Sequence, residues 1–165
     1  MRTLFVKVAL CAAVIFAPTT AKAQGKEFKQ LTKIDGVEHI YINKFFIKLA
    51  AIGGKGFNLS DGISIGGGKS GNILKKIDGI RVFNADEKNP AEQLKMRVQS
   101  ILNSNGWEPL IDVNDEDGEK VKICQYKKGK RTTVAILSEE KNETELVVIT
   151  GKIDLEKLIE QANKD

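Results

Sequence analysis

Four strand-like segments in the last third of the sequence constrain the fold more than any other feature. Each is a short stretch of apolar residues mixed with polar ones, and polar turns separate the segments. The predicted strands are Glu108–Val113, Glu119–Tyr126, Arg131–Leu137 and Glu145–Thr150, with turns at Asp115–Gly118, Lys127–Lys130 and Glu139–Asn142. Short strands joined by tight turns pair with their neighbours in the chain, so we expect a four-strand antiparallel meander here.

Two strand–helix units are expected before the meander. In the first, Val37–Ile42 is strand-like and Asn43 is placed to cap a short helix that ends at Gly53. The apolar positions of this helix are Phe46, Ile47, Ala50 and Ala51. Prolonging the strand through residues 45–47 is the alternative for this boundary.

The second unit places a strand at Ile80–Phe83, preceded by a turn of helix within Asn72–Ile77. A helix follows, with Asn89 as the cap and Pro90 in the first helical position. Its apolar residues recur every three or four positions, at Ala91, Leu94, Val98, Ile101 and Leu102. A closing helix is predicted after Asp154, with an apolar face of Leu155, Leu158, Ile159 and Ala162.

Together these elements predict an α+β fold with two early strand–helix units, a four-strand antiparallel meander and a C-terminal helix, the sheet packing on helices. Residues 1–23 are predicted to be a signal peptide, residues 24–36 a frayed polar lead-in and residues 37–165 one α+β domain. Residues 24–165 are numerous enough to bury a sizeable core.

The N-terminus has the three parts of a secretory signal. Arg2 and Lys7 are basic, Val8–Ala17 is apolar, and Ala21 and Ala23 are small residues that suit cleavage before Gln24. The apolar run is about half of the roughly 20 residues that span a bilayer, so no transmembrane span is expected after processing. We therefore expect export to the periplasm or beyond.

Removal of residues 1–23 would lower the net charge and leave one cysteine, which changes what each of them implies. The full sequence has a net charge of +4, but the signal segment contributes three basic residues and no acidic ones. The nearly neutral remainder does not favour nucleic acid as a partner. Cys124 is left as the only cysteine, which excludes an internal disulfide; we interpret it as a buried inert thiol, with a redox or intermolecular role as the alternative. No lipid anchor is expected at Cys11, because Leu10 precedes it and it lies inside the apolar run.

Residues 53–71 are rich in glycine and contain a predicted small hairpin. A three-residue loop of Ser60–Gly62 pairs Leu59 with Ile63 and Phe57 with Ile65, which places these four apolar residues on one face. A two-residue Asp61-Gly62 turn is the alternative. The four residues are the candidate partner-binding site, and packing onto the protein's own core is the competing interpretation.

Two motifs resemble ligand-binding loops but lack residues that such loops require. Gly66–Ser70 lacks the earlier glycine that a phosphate-binding loop needs, because Ile63 stands at that position. Counting a calcium loop from Asp112 puts Asp117 where glycine is required and Ile123 where glutamate is required. We predict a solvated turn there, with weak calcium binding as the alternative, and no cofactor or metal site.

His39 is the only histidine. It has no second histidine to share a zinc ion with, and a serine or cysteine nucleophile would need His39 itself as the base. The sequence predicts no catalytic residues and no enzyme activity.

Three segments resemble the domain of unknown function 4252 family, small exported proteins of Bacteroidetes-type bacteria. They are Ile40–Lys44, Leu74–Val82 and Val147–Leu155. Family members often carry serine where Asn43 stands, and many resemble lipoproteins, from which this chain departs. The resemblance implies a fold and no activity.

The function expected from these features is that of an exported, non-catalytic envelope protein that binds a protein or surface component. The alternative is a small-ligand-binding or enzymatic domain with a pocket between sheet and helices.

Overall fold

A computed structural model describes residues 27–52, 57–60, 63–65, 74–116 and 118–154 of the chain. The chain divides into two compact units, Met1–Gln30 and Leu31–Asp165. Residues 27–31 are helical, and Phe28 and Leu31 are buried, so the lead-in predicted for residues 24–36 is not frayed throughout. None of the helices in the described residues is long and apolar enough to cross a membrane.

Within the described part of the second unit, strands and helices alternate first and strands alone follow. The elements are β1 (Glu38–Asn43), α1 (Lys44–Ile52), β2 (Phe57–Ser60), β3 (Ile63–Ile65), β4 (Ile77–Ala85), α2 (Lys88–Leu102), β5 (Trp107–Asn114), β6 (Lys120–Lys128), β7 (Arg131–Glu140) and β8 (Glu143–Gly151). The α+β class predicted from the sequence is confirmed.

The described strands form a six-stranded antiparallel sheet in the order β1-β4-β8-β7-β6-β5, and β2 pairs with β3 separately. Strands β5 to β8 are neighbours in the order of the chain. The predicted four-strand meander does not match the sheet completely, because β4 and β1 extend it beyond β8 to six strands. The closing helix predicted from Leu155 onward lies outside the described residues.

Both faces of the sheet carry buried apolar residues, because a helix packs against each of them. Residues that oppose each other across neighbouring strands share a face. Ile80, Val82 and Val147 lie on the face toward α1, where they form a core cluster with Ile47 of the helix. We call this side the α1 face.

The opposite side, the α2 face, carries Phe83, Leu146 and Leu137 in register on β4, β8 and β7. Helix α2 packs across β4 and β8 through its buried residues Pro90, Ala91, Leu94, Val98 and Leu102. A polar contact fixes the helix over β7 as well, where the Gln99 side chain donates to Glu139 at 3.0 Å.

The start of α2 corrects one prediction. The helix begins at Lys88 with Glu87 in the cap position, so Asn89 is not the cap and Pro90 lies later in the first turn. The Ala91 amide donates to the Glu87 carbonyl at 2.9 Å, which closes the first turn without a side-chain cap. Proline is accommodated because amides in the first turn have no intrahelical acceptor.

The start of β4 also differs from the prediction. Ile77 belongs to β4 rather than to the helical turn predicted for Asn72–Ile77, of which residues 72–73 lie outside the described part. Ile77 opposes Gly151 of β8, and a register shift separates this pair from the rest of the ladder. Strand pairing with β8 thus lengthened β4 beyond what its own sequence indicated.

Candidate functional site

Helix α1 begins where the sequence predicted, because Asn43 caps it. The Asn43 Oδ1 accepts hydrogen bonds from the backbone amides of Phe45 at 3.0 Å and Phe46 at 3.3 Å. The alternative, a strand prolonged through residues 45–47, is excluded. Lys44 forms an ion pair with Asp78 of β4, which fixes the first turn of the helix to the sheet.

The outward side of α1 is apolar, which distinguishes this helix from α2. Ile47 is completely buried against the sheet. The residues we call the α1 surface point the other way and are between 57% and 81% exposed: Phe45, Phe46, Leu49 and Ile52. Phe45 and Phe46 contact each other edge to face with their ring centroids 5.7 Å apart. A helix with large apolar residues on opposite sides is normally covered on both of those sides.

Strand β1 adds further exposed apolar area at the edge of the sheet. Ile40 and Tyr41 are 60% and 54% exposed. The Tyr41 ring is held between Gly79, where a Cβ would come within 3.3 Å of it, and the Arg81 guanidinium, 5.2 Å from the ring centroid. Tyr41 is therefore positioned by its neighbours on β4 while remaining accessible.

The predicted hairpin exists as a backbone pairing of β2 with β3. Phe57 opposes Ile65 as predicted, but Ile63 opposes Ser60 rather than Leu59. The register shifts between Asn58 and Ser60, so the predicted pairing of Leu59 with Ile63 was wrong. An extra residue in one strand is how a bulge changes register, and nothing in the apolar spacing signalled it.

His39 and Cys124 lie far apart in the sheet. His39 is on β1 and Cys124 on β6, and β4, β8 and β7 separate the two strands. At about 4.8 Å per strand, the separation is roughly 19 Å. The fold therefore does not bring the cysteine and the histidine together as a nucleophile and its base.

Burial shifts the pKa values of both residues, in opposite directions. Burial against its neighbours lowers the pKa of His39 below 6.5, and the positive charge of Arg81 lowers it further. The imidazole stacks on Phe83 with the ring centroids 4.7 Å apart. Burial raises the pKa of the Cys124 thiol, and Lys122 only partly offsets this. The interpretation of Cys124 as a buried thiol is confirmed.

A polar cavity of about 270 Å³ lies beside α2, above β5, β6 and β7. One of its lining residues is Glu139, only 8% exposed, which accepts a hydrogen bond from the Gln99 side chain and forms an ion pair with Lys95 at 2.6 Å. Asp112, Asn114, Lys120 and Lys122 line the side toward the sheet edge. Neither His39 nor Cys124 lines this cavity.

The segment tested as a calcium loop forms the connection between β5 and β6. The Asp115 amide donates to the Glu119 carbonyl at 2.8 Å, and Gly118 has a φ of +90°. Across the described ranges, which omit residue 117, no three His, Cys, Asp or Glu residues are grouped as metal ligands. Gly66–Ser70 lies outside the described residues.

Sequence reasoning missed the α1 surface, although a signal for it was present. Lys44–Ile52 contains seven apolar residues and two lysines, so no polar stripe runs along the helix. The apolar positions predicted for the helix included Phe46 of this surface but not Phe45, Leu49 or Ile52.

Comparison with known proteins gives a family and no activity. No curated protein matches the sequence, and no solved structure matches it either. The sequence matches the family described as Domain of unknown function (DUF4252) over residues 26–160, which is most of the chain and includes every strand of the six-stranded sheet. The chain therefore belongs to the DUF4252 family.

Proposed function

We propose that this protein is an exported, non-catalytic envelope protein that binds another protein through the α1 surface and the hairpin that follows it. The observation that carries the proposal is the exposure of Phe45, Phe46, Leu49 and Ile52 on a helix whose opposite side is buried. Contiguous exposed apolar residues of this size are typical of protein–protein interfaces, in which aromatic side chains contribute much of the binding energy.

The hairpin residues belong to the proposed site because of their position in the chain. Helix α1 ends at Ile52 and β2 begins at Phe57. Five residue steps span at most about 18 Å, so Phe57 lies within that distance of the α1 surface. Phe57, Leu59, Ile63 and Ile65 are therefore proposed to extend the same binding region.

Export is the second part of the proposal and rests on the sequence. The basic start, short apolar run and Ala21/Ala23 site favour cleavage before Gln24. We propose that the processed protein works in the periplasm or outside the cell without a lipid anchor. A binding role needs no cofactor there.

A chemical-crosslinking pull-down from the native envelope fraction, read by mass spectrometry, tests both parts. The full-length protein is compared with a Phe45→Ser/Leu49→Ser variant and a Phe57→Ser/Leu59→Ser variant. Met96→Ser is the matched control, because Met96 is 63% exposed on α2, away from the α1 surface. We expect one dominant partner that the control retains and both double variants lose.

The outcomes separate the components of the proposal. Capture that persists in the Phe45→Ser/Leu49→Ser variant would show that the α1 surface is not the site. Loss in that variant alone would restrict the site to α1 and remove the hairpin from it. The N-terminal peptide of the recovered protein should begin at Gln24, and a retained Met1 would contradict export by cleavage.

The alternative function is binding of a small ligand in the cavity beside α2. The buried Glu139 carboxylate and three lysines would suit a polar ligand with acidic and hydrogen-bonding groups. A thermal-shift screen addresses this alternative. A stabilising ligand whose effect Lys122→Gln abolishes and Phe45→Ser/Leu49→Ser retains would favour it over protein binding.

A further inference from the structure

The two ends of the six-stranded sheet differ in charge. At one end, β4 and β7 begin while β6 and β8 finish, so four neighbouring strands meet in one row. Gly151 of β8 opposes both Ile77 of β4 and Thr132 of β7, and Lys128 of β6 opposes Arg131. At about 4.8 Å between strands, the row is roughly 14 Å wide.

Basic residues occupy the chain segments that enter and leave this row. The segments are residues 75–76 before β4, residues 127–131 where β6 turns into β7, and residue 152 after β8. They come together only in the folded protein, where the Lys152 amide donates to the Lys76 carbonyl at 2.9 Å. We call their seven basic residues, all of them exposed, the basic end: Lys75, Lys76, Lys127, Lys128, Lys130, Arg131 and Lys152.

Little negative charge accompanies the basic end among the described residues. Within two residues of its segments, the acidic side chains are those of Asp78 and Asp154. Asp78 forms ion pairs with Arg131 at 3.2 Å and with Lys44, which brings an eighth basic residue to the same place. The basic end therefore has an excess of positive charge.

The opposite end of the same strands is acidic. Glu140 of β7 opposes Glu143 of β8 there, and Asp86 and Glu87 follow β4. The described residues at this end include seven acidic side chains and three basic ones: Asp86, Glu87, Glu119, Glu139, Glu140, Glu143 and Glu145, with Lys88, Lys120 and Lys141. Strand β4 separates the two ends by about 26 Å, several times the Debye length of about 8 Å at physiological ionic strength. The acidic end therefore does not shield the basic end from a ligand.

The composition of the basic end suits the headgroups of an anionic membrane. Six of its residues are lysines, and Arg131 is engaged with Asp78. Lysine provides a mobile point charge, whereas nucleic-acid recognition favours the planar fork of arginine. The three segments contain no aromatic residue on which bases could stack. Clusters of about four to eight lysines or arginines are typical of proteins that dock on anionic lipid headgroups.

We propose that the basic end docks on a membrane surface that carries anionic phospholipids, with the acidic end directed away from that surface. The seven side chains are spread over the ends of four strands, so they contact several phosphate groups at once. The inference goes beyond the proposed function, and none of the seven residues belongs to the α1 surface or to the β2–β3 hairpin. Membrane docking and partner capture can therefore fail separately.

Co-sedimentation of the full-length protein with phospholipid vesicles tests the proposal. The natural protein should bind vesicles of phosphatidylglycerol and phosphatidylcholine in equal parts at least about tenfold more tightly than vesicles of phosphatidylcholine alone. Raising the salt concentration from about 0.05 M to about 0.5 M should release it, because exposed charges are screened. The Lys75→Glu/Lys130→Glu variant should lose at least about tenfold in affinity for the anionic vesicles. Comparable binding to both kinds of vesicle would overturn the proposal.

Lys88→Glu/Lys141→Glu is the matched control, because it changes the net charge equally but at the acidic end, where both lysines are exposed. This variant should keep the affinity of the natural protein within about twofold. Equal losses in the two variants would contradict docking through the basic end, since net charge alone would then explain binding. All three proteins share the same N-terminal segment, so any contribution from its apolar run cancels in the comparison.

Folding and ligand class are checked separately. The urea midpoint of unfolding should be the same in the natural protein and both variants, because the substituted lysines are exposed. The milder Lys75→Gln/Lys130→Gln variant should also lose affinity, by less than the Glu variant. Binding to single-stranded DNA without binding to the anionic vesicles would make nucleic acid the ligand and would rule out membrane docking.

Discussion

The two strand–helix units of this protein, β1–α1 and β4–α2, have the same order and different surroundings. Strand β4 is the second strand of the sheet and is largely buried, while β1 is an edge strand with only Ile42 half-buried. Helix α2 has buried apolar residues on one side and polar residues on the other. Helix α1 has apolar residues on both sides.

The two units differ in how many of their apolar side chains the protein itself covers. In the β4–α2 unit, Leu94 and Val98 are completely buried, and the exposed side of α2 is polar apart from Met96. In the β1–α1 unit, Ile47 is buried against the sheet, whereas Phe45 and Leu49 face outward and are exposed. Under the proposed function, this exposed apolar side of α1 is the side that contacts the partner.

The largest expected effect comes from the inward side of α2. Leu94→Ala should lower the free energy of unfolding by about 2–5 kcal/mol, because it leaves a cavity in a filled core. Phe45→Ala removes a larger side chain from α1 and should change it by no more than about 0.5 kcal/mol. Urea unfolding measures both, and comparable losses would mean that the α1 surface is part of the protein's own core.

The helix caps should show an intermediate effect. Asn43→Ala removes the acceptor for the first two amides of α1 and should cost about 0.5–2 kcal/mol in unfolding free energy. Glu87→Ala is the matched control, because Glu87 makes no side-chain cap bond to α2. Equal destabilisation of the two variants in urea would contradict the assignment of Asn43 as the working cap.

The smallest effect concerns His39, which joins the two units through its contact with Phe83. Its pKa is lowered in the folded protein, so the unfolded chain takes up the proton first as the pH falls below 6.5. Stability from this group is complete above that pH and declines as the pH falls toward the folded-state pKa. His39→Gln should flatten this part of the profile when urea unfolding is compared at about pH 7.5 and about pH 5. An unchanged slope would assign the pH dependence to other groups.

Several local features could be predicted because each depends on a few adjacent residues. The cap at Asn43, the buried positions of α2 and the connections between β5 and β8 follow from residue type and spacing. The start of α2 was predicted two residues late, because proline favours the first helical position, whereas Pro90 takes the third position of this helix.

The candidate site could not be predicted to the same extent. Apolar spacing identifies residues that favour burial, and it assigned Phe46 and Ile47 alike to α1. Only the packing of α1 on β1 and β4 decides that Ile47 is inward and Phe46 outward. The bulge in the β2–β3 hairpin was equally beyond sequence rules, since one extra residue leaves the composition of the strand unchanged.

The sequence by itself determined the class of this fold, the identity of most of its strands and helices, and the absence of a disulfide in residues 24–165. These follow from local periodicity, turn chemistry and a count of cysteines. Tertiary structure alone decided that β4 and β1 join the sheet beyond β8, that His39 and Cys124 lie roughly 19 Å apart, and that α1 keeps an apolar side outward. The physical reason is that strand order and exposure depend on contacts between residues far apart in the chain, about which local patterns carry no information.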